Sequence, residues 1–394
     1  MKKINESSKY LMNTYSRNPI ELVKGEGIKV FDNEGKEYLD FVAGIAVNCL
    51  GHAHPKIVST IVSQANKLMH CSNLYWNENQ IDLANILCEK SFGDCVFFCN
   101  SGAEANEGAL KLSRKYSYLK YGEKRNEVIA AHNSFHGRTY GALTATGQEK
   151  YQKYFKPLVG GFKYVNYNDI DDLKNAINDS TCAIILEVIQ GEGGINEADQ
   201  TYLTEVRKLC DEYDILLIFD EVQTGIARTG KLFAYEHYGV EPDIMTLAKG
   251  LGGGFPIGAV VANKKANVFS PGDHASTFGG NPLACAVGKT VMNIVSEDSF
   301  LENVQIQGNY FKSELLRLKE KYHCIEKIKG KGLMIGCELN VDKAYNVVQV
   351  ALEKGLLINA VSNNILRFVP PLIVTKKDIS VAVDILDETF QEVY

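Results

Sequence analysis

The stretch Ile215–Ala262 reads ILLIFDEVQTGIARTGKLFAYEHYGVEPDIMTLAKGLGGGFPIGAVVA. Ile215 to Phe219 is an unbroken apolar run that stops at the acidic pair Asp220-Glu221. A short apolar run ended by a charge reads as a buried strand that delivers its last residue to a site. A second run, Asp243 to Leu247, stops at Ala248-Lys249. The segment Gly250-Leu251-Gly252-Gly253-Gly254 follows, and a third run covers Ile257 to Ala262. One carboxylate and one lysine therefore stand at the C-terminal ends of two buried strands. In open α/β sheets that edge is where ligands bind.

A lysine held there is desolvated, and desolvation lowers its pKa. A Schiff-base lysine requires this, because the neutral amine is the form that attacks a carbonyl. The aspartate suits a matching task. Pyridoxal 5'-phosphate (PLP) is an electron sink when its ring nitrogen is protonated, and a buried carboxylate opposite that nitrogen keeps the proton in place. A lone lysine would read as a surface residue. Asp220 upstream, and glycines that allow close backbone approach just after Lys249, favour the site. Gly225–Lys231, GIARTGK, fits the opening of a phosphate-binding P-loop, but Leu232 stands where the Mg²⁺-binding hydroxyl belongs, so the match is by chance.

With 394 residues the chain can form one large domain and a smaller one. Hydrophobic content of 45% and charged content of 23% are ordinary for a globular protein. The net charge of −6 argues against nucleic acid or an anionic membrane as the main partner. No apolar run approaches the ~20 residues that span a bilayer. The N-terminus MKKINESSKY has no apolar core of the kind a signal peptide carries. The 10 cysteines form no C-x-x-C pair and several lie in strand-like or helix-like runs, which points to a reducing cytoplasm.

Along the chain, Val30–Val42 alternates around Asn33-Glu34-Gly35, a hairpin signal. Cys49, His52 and His54 precede or flank Pro55; their spacing suits a turn better than a zinc site, so no metal is expected. Cys95–Cys99 reads as a strand, and Asn100-Ser101-Gly102-Ala103-Glu104-Ala105-Asn106 leads into a helix to about Tyr121. A strand, a small-residue turn and a helix N-terminus form an anion site. Ser101 with Glu104 also reads as a capping box. Val128–Ala131 is a strand ending near Phe135 and Arg138, a ring to stack on a flat cofactor and a fork of donors for a carboxylate. Glu187 sits in the apolar run Cys182–Ile189, where an acid needs a partner or a shifted pKa. Strands alternate with helical patterns at 56–69, 104–121, 168–178 and 199–213, so the sheet is expected to be parallel. Later helices are expected at 283–295, 299–322, 342–354 and 376–392, with strands at 333–339 and 365–369.

With these residues in place, the chain from about Tyr10 to its end resembles the class III (ω-type) aminotransferases of PLP fold type I. Within them it is most similar to the branch that acts on N-acetylornithine. The motifs that carry the resemblance are NSGAEAN at 100–106, SFHGRT at 134–139, QGEGG at 190–194, FDEVQTG at 219–225, LAKGLGGGFPIGA at 247–259, STFGGNP at 276–282 and LRFVPPLIVT at 366–375. The resemblance implies an α/β fold: a large PLP-binding domain over 51–295, with a mostly parallel sheet between helices, and a smaller α+β domain over 296–394. Residues 1–50 would form an arm and part of the smaller domain.

The resemblance also implies roles. Lys249 would hold PLP and shuttle the proton, and Asp220 would pair with the pyridine nitrogen, within the cofactor-binding run Asp220-Glu221-Val222-Gln223, where Gln223 contacts the ring hydroxyl. Ser101, Gly102 and Ala103 would bind the phosphate, and Phe135 would stack on the ring. Thr277 would reach the phosphate of a neighbouring subunit, making a homodimer with shared active sites. Ser276 and Arg138 would touch substrate. Glu192 would pair with Arg367 while the ω-amino substrate is bound, then release Arg367 for 2-oxoglutarate. Val188 stands where a proline is frequent and Ala227 where a glycine is frequent. Gly44 stands where ornithine aminotransferases carry a tyrosine, which implies room for an acyl-amino group. The implied reaction is transamination from N-acetylornithine to 2-oxoglutarate, a step of arginine biosynthesis. Succinyldiaminopimelate, ornithine and 4-aminobutyrate are rival donors. An aminomutase or racemase is a rival reaction, and a non-enzymatic PLP-binding regulator a rival role.

Overall fold

The computed structural model describes residues 10–394; the N-terminal residues of the signal-peptide argument lie, apart from Tyr10, outside the described part. Seven strands form the central sheet, in the spatial order Cys95–Cys99, Gly258–Ala262, Ile244–Leu247, Leu216–Asp220, Thr181–Leu186, Glu127–Ala131, Phe162–Val165. All neighbours are parallel except around Gly258–Ala262, which runs antiparallel to both of its partners. Leu216–Asp220 and Thr181–Leu186 are buried at every position. That is why both read as unbroken apolar runs rather than as alternating ones.

The helices expected between these strands are present at Pro55–Ala65, Gly102–Tyr121, Ile170–Ala176 and Gln200–Glu212. Apolar side chains from both faces of the sheet, among them Leu217, Phe219 and Met245 on one and Leu216, Ile218 and Ile244 on the other, enter separate clusters of buried residues. The alternation of the strand thus splits one apolar run between two cores. The helix Glu78–Glu89 and the edge strand Phe162–Val165 had no clear signal in the sequence. Glu187 lies just beyond the end of its strand rather than inside it.

The hairpin around Asn33-Glu34-Gly35 joins Lys29–Asp32 to Glu37–Asp40. Leu39 then pairs in parallel with Leu356, so chain from near both ends shares one small sheet. A second, antiparallel sheet is built from Ile325–Lys331, Met334–Leu339, Ile365–Phe368 and Asn359–Ser362. Its strand Ile365–Phe368 carries Arg367, fully buried, toward the central sheet. The P-loop-like segment is a turn: Ile226 and Ala227 have φ of 56° and 66°. Its Arg228 is buried and donates to the carbonyls of Leu333 (3.0 Å) and Pro370 (2.5 Å). Among the described residues no helix is long and apolar enough to cross a membrane.

Candidate active site

Lys249 follows the strand Ile244–Leu247 and opens the short turn Lys249–Gly252 with φ of 42°, a left-handed value unusual for a side chain of its size. Asp220 is the last residue of the neighbouring strand. Both line one cavity of about 410 Å³, together with Ser101, Gly102, Ala103, Phe135, Arg138, Val222 and Gln223. The strand ends named by the sequence therefore converge as the sheet edge requires.

Asp220 is held on three sides. Its Oδ2 accepts from Asn106 Nδ2 (2.7 Å) and bonds His136 Nδ1 (2.8 Å), and its Oδ1 accepts from the Val222 N–H (3.0 Å). Asn106 is itself fixed, donating to the His136 carbonyl (2.7 Å) and accepting from Thr246 Oγ1 (2.8 Å). Asn106 and His136 lie inside recognised motifs. Their task as supports of Asp220 was not legible, because it joins a helix, a loop and a strand that are far apart in sequence. Glu221, by contrast, is absent from the cavity lining. Its carboxylate accepts from the N–H groups of Ala234 and Tyr235, each at 2.7 Å, and from Thr224 Oγ1. Adjacent strand-end residues point to opposite sides, so the expectation of Glu221 as a cofactor contact is corrected to a fold-holding side chain.

Burial lowers the Lys249 pKa to about 8, against the raising charges of Glu192, Asp220 and Glu187. The same burial pushes Glu187, which also lines the cavity, up to about 7. Glu187 accepts from the Phe135 N–H (3.0 Å) and the Gly191 N–H (3.2 Å), tying two loops of the site together.

At the other end, Ser101 caps the helix Gly102–Tyr121 by accepting from the Glu104 N–H. Glu104 does not close a capping box on Ser101; it reaches Asn100 instead, accepting from its N–H (3.0 Å) and Nδ2 (2.9 Å). The Gly102 and Ala103 N–H groups have no hydrogen-bond partner among the described residues, and both residues line the cavity at the start of the helix. A Cβ on Gly102 would come within 2.6 Å of Val222, and one on Gly137 within 2.7 Å of Ala103. The glycines thus let the helix start pack against Val222 and the Gly137 turn pack against Ala103. A helix N-terminus, the Phe135 ring, a carboxylate and a half-buried lysine lining one cavity fit a phosphorylated pyridine aldehyde.

Arg367 donates to Glu192 Oε1 (2.5 Å), Gln223 Oε1 (3.2 Å) and the Gly191 carbonyl (3.2 Å), and its Nη2 is buried without a partner. Burial alone would raise Glu192, but the charges of Arg367 and Lys249 outweigh it and hold its carboxyl below the usual range. Ser276 adjoins the cavity through Asn100, whose Nδ2 donates to its Oγ at 3.1 Å. Thr277 is exposed and lines a different cleft with Trp76. Gly44 also lies elsewhere, in a cleft with Arg17 and Asn48; the residue of that segment lining the cavity is Val47. Of the supposed metal ligands, His52 bonds Asp40 (2.7 Å) and Cys49 Sγ donates to the Gly250 carbonyl (3.2 Å).

Residues 10–390 match the family described as "Aminotransferase class-III". The chain belongs to the class-III aminotransferases. This aminotransferase is 65% identical over 390 residues to the acetylornithine aminotransferase of Caldanaerobacter subterraneus subsp. tengcongensis, with 99% of each chain covered. It is 53% identical to that of Methanocaldococcus jannaschii, covering 99% of this chain and 98% of the relative. Among solved structures, the N-acetylornithine aminotransferase of Stenotrophomonas maltophilia K279a superposes with a TM-score of 0.86 at 36% identity, 99% of both chains being covered. The ornithine aminotransferase of Toxoplasma gondii ME49 superposes with a TM-score of 0.95 at 34% identity, covering 99% of this chain and 94% of that one.

Proposed function

We propose that this aminotransferase moves the δ-amino group of N2-acetyl-L-ornithine to 2-oxoglutarate, giving N-acetyl-L-glutamate 5-semialdehyde and L-glutamate, with PLP as cofactor. The observation that carries the chemistry is the half-buried, desolvated Lys249 beside Asp220 in one cavity that the start of the helix Gly102–Tyr121 also lines. The substrate rests on relatives at up to 65% identity that bear the acetylornithine name. Those names outweigh the closer superposition on an ornithine enzyme, because that enzyme is 34% identical.

Gly102, Ala103 and Ser101 would hold the phosphate, Phe135 and Val222 the two ring faces, and Gln223 the ring hydroxyl. Bound PLP supplies an electrophilic carbonyl carbon and an electron sink. Asp220, fixed by Asn106 and His136, keeps a proton on the atom it faces. Lys249 Nζ, half neutral near pH 8, would take the proton from the carbon that bears the amino group and deliver it to the cofactor carbon within the same half-reaction, and would run the transfer in reverse in the second half. Arg138 grips the carboxylate remote from that carbon. The Arg367–Glu192 pair is neutral toward the donor, and Glu192 turning aside bares Arg367 for the second carboxylate of 2-oxoglutarate.

The site is completed by a second copy of the chain. Leu74 and Trp76 are 85% and 88% exposed, Phe278 is 62% exposed, and all lie around Thr277. An exposed apolar face of this kind is what a partner covers, and Thr277 would then reach the partner's phosphate. Within each copy, residues 51–295 would form the cofactor-holding body, while 296–394 and the described part of the first fifty residues, 10–50, would form the smaller unit that carries Arg367. The 10 cysteines are free thiols, in keeping with a cytoplasmic enzyme.

The test is a half-reaction. PLP-loaded protein is mixed with excess N-acetylornithine, or with ornithine, without oxo acid, and the cofactor's absorption is followed. Rapid change with N-acetylornithine and slow change with ornithine is expected. Rapid change with neither overturns the substrate and leaves the fold.

A further inference from the structure

We propose that Tyr151 is the positioning residue for Arg138 and so determines how tightly the site grips the carboxylate remote from the reacting carbon. The inference rests on the functional reading above and adds a residue that no motif named.

Arg138 lines the cavity, yet among the described residues no hydrogen bond or ion pair holds it. Arg367, the other arginine of the site, is held by Asn359, Gly191, Glu192 and Gln223. Arg138 is held by stacking instead. Its guanidinium carbon stands 4.0 Å from the centroid of the Tyr151 ring and 5.5 Å from that of Phe135. Stacking occupies the face of the guanidinium and leaves the in-plane N–H fork free, and the fork is the edge that a carboxylate takes. An arginine fixed by ring contact alone is thus pre-oriented without losing a donor.

The platform is itself anchored. Tyr151 belongs to the short helix Glu149–Gln152, whose Gln152 Nε2 donates to the carbonyls of Leu143, Thr144 and Thr146 at 3.2, 3.2 and 2.7 Å. The Tyr151 ring meets the Phe135 ring edge-on at 5.8 Å and 81°. One aromatic pair therefore links the ring that faces the cofactor to the guanidinium that faces the substrate. Lys150 Nζ also lies 4.9 Å from the Tyr151 ring, but Lys150 is exposed and outside the cavity.

The test uses the PLP-loaded enzyme with Tyr151→Ala, Tyr151→Phe and, as a control, Lys150→Met. Steady-state kinetics are read with N-acetylornithine and 2-oxoglutarate, and calorimetry with glutarate, a dicarboxylate that has no group to react. Tyr151→Ala is expected to raise both KM values and the glutarate Kd by about 3- to 30-fold, the range a cation–π contact carries. Its kcat is expected to stay within about threefold. Tyr151→Phe keeps the ring and restores tight binding, and Lys150→Met has no effect. A Tyr151→Ala enzyme that binds glutarate as wild type does, or that loses kcat with KM unmoved, overturns the proposal. A wild-type enzyme inactive with N-acetylornithine, whose glutarate Kd still responds to Tyr151→Ala, overturns the substrate assignment and leaves this inference standing.

Discussion

Replacing Glu187 by Gln removes a buried acid whose pKa the fold raises from 4.5 to about 7, chiefly by burial. A raised acid pKa means that the folded state binds more protons than the unfolded one between those two values. Stability contributed by this group is therefore highest below pH 4.5 and falls as pH rises through 7. The full loss is on the order of 3 kcal/mol, and most of it falls between pH 5 and pH 8. Glutamine never ionises and escapes this loss, but its amide turns a donor toward either the Phe135 or the Gly191 N–H, at a cost of about 1–3 kcal/mol that does not change with pH. Urea unfolding of the cofactor-free wild type and variant at pH 5 and pH 8 measures the difference of differences, in which the titrating groups that do not face Glu187 cancel. Relative to wild type, the variant should gain on the order of 2–3 kcal/mol from the lower pH to the higher. A gap that stays constant within about 0.5 kcal/mol would show that Glu187 is not held against ionisation by its burial, and the reasoning would fail.

The same physics sets the pH dependence of cofactor capture. Lys249, lowered to about 8 by burial, attacks as the neutral amine, so the rate at which the stripped protein takes up PLP should rise with pH to a midpoint near 8, and Lys249→Ala should abolish transamination without unfolding the chain. Asn106→Ala removes one of the Asp220 supports and leaves Thr246 Oγ1 without its acceptor; kcat should fall by about 10-fold or more while circular dichroism is unchanged. Ala227 has φ of 66°, so Ala227→Gly should stabilise the protein by about 0.5–1 kcal/mol in urea titrations, the left-handed strain exceeding the added chain entropy of glycine. On the proposed dimer, Trp76→Arg puts a charge on the covered apolar face beside Thr277, and sedimentation should report a smaller assembly for the variant than for the wild type.

The sequence exposed the strands through their burial. Leu216–Asp220 and Ile244–Leu247 are covered on both faces, so apart from Thr246 they are apolar up to the charged ends where the cavity begins. The helix expected at 283–295 is Pro282–Val295, capped by Asn281, which accepts from the Ala284 N–H before a proline in the first turn. Glu78–Glu89 carries its polar residues on much of its surface and buries only Leu83 and Leu87, so little periodicity announced it. The antiparallel course of Gly258–Ala262 had no signature either, because an apolar run has no direction.

Two residues named with the site motifs stand apart from the cavity lining. Glu221 sits beside Asp220 in the same motif, but the alternation of the backbone turns it away to Ala234 and Tyr235. Gly44 lies three residues before Val47, and only Val47 reaches the cavity. What residue types and their order determined by themselves was local: which segments are buried, where a lysine and a carboxylate end strands, and where glycines let backbone come close. These depend on neighbours along the chain and on the hydrophobic pattern. The tertiary structure alone decided the rest: that Asn106, His136 and Thr246 hold Asp220, that Tyr151 lies under Arg138, and that Arg367 crosses from another sheet to Glu192. Each of these contacts joins groups on separate elements, and their meeting is set by how the sheets and helices pack, which no window of sequence contains.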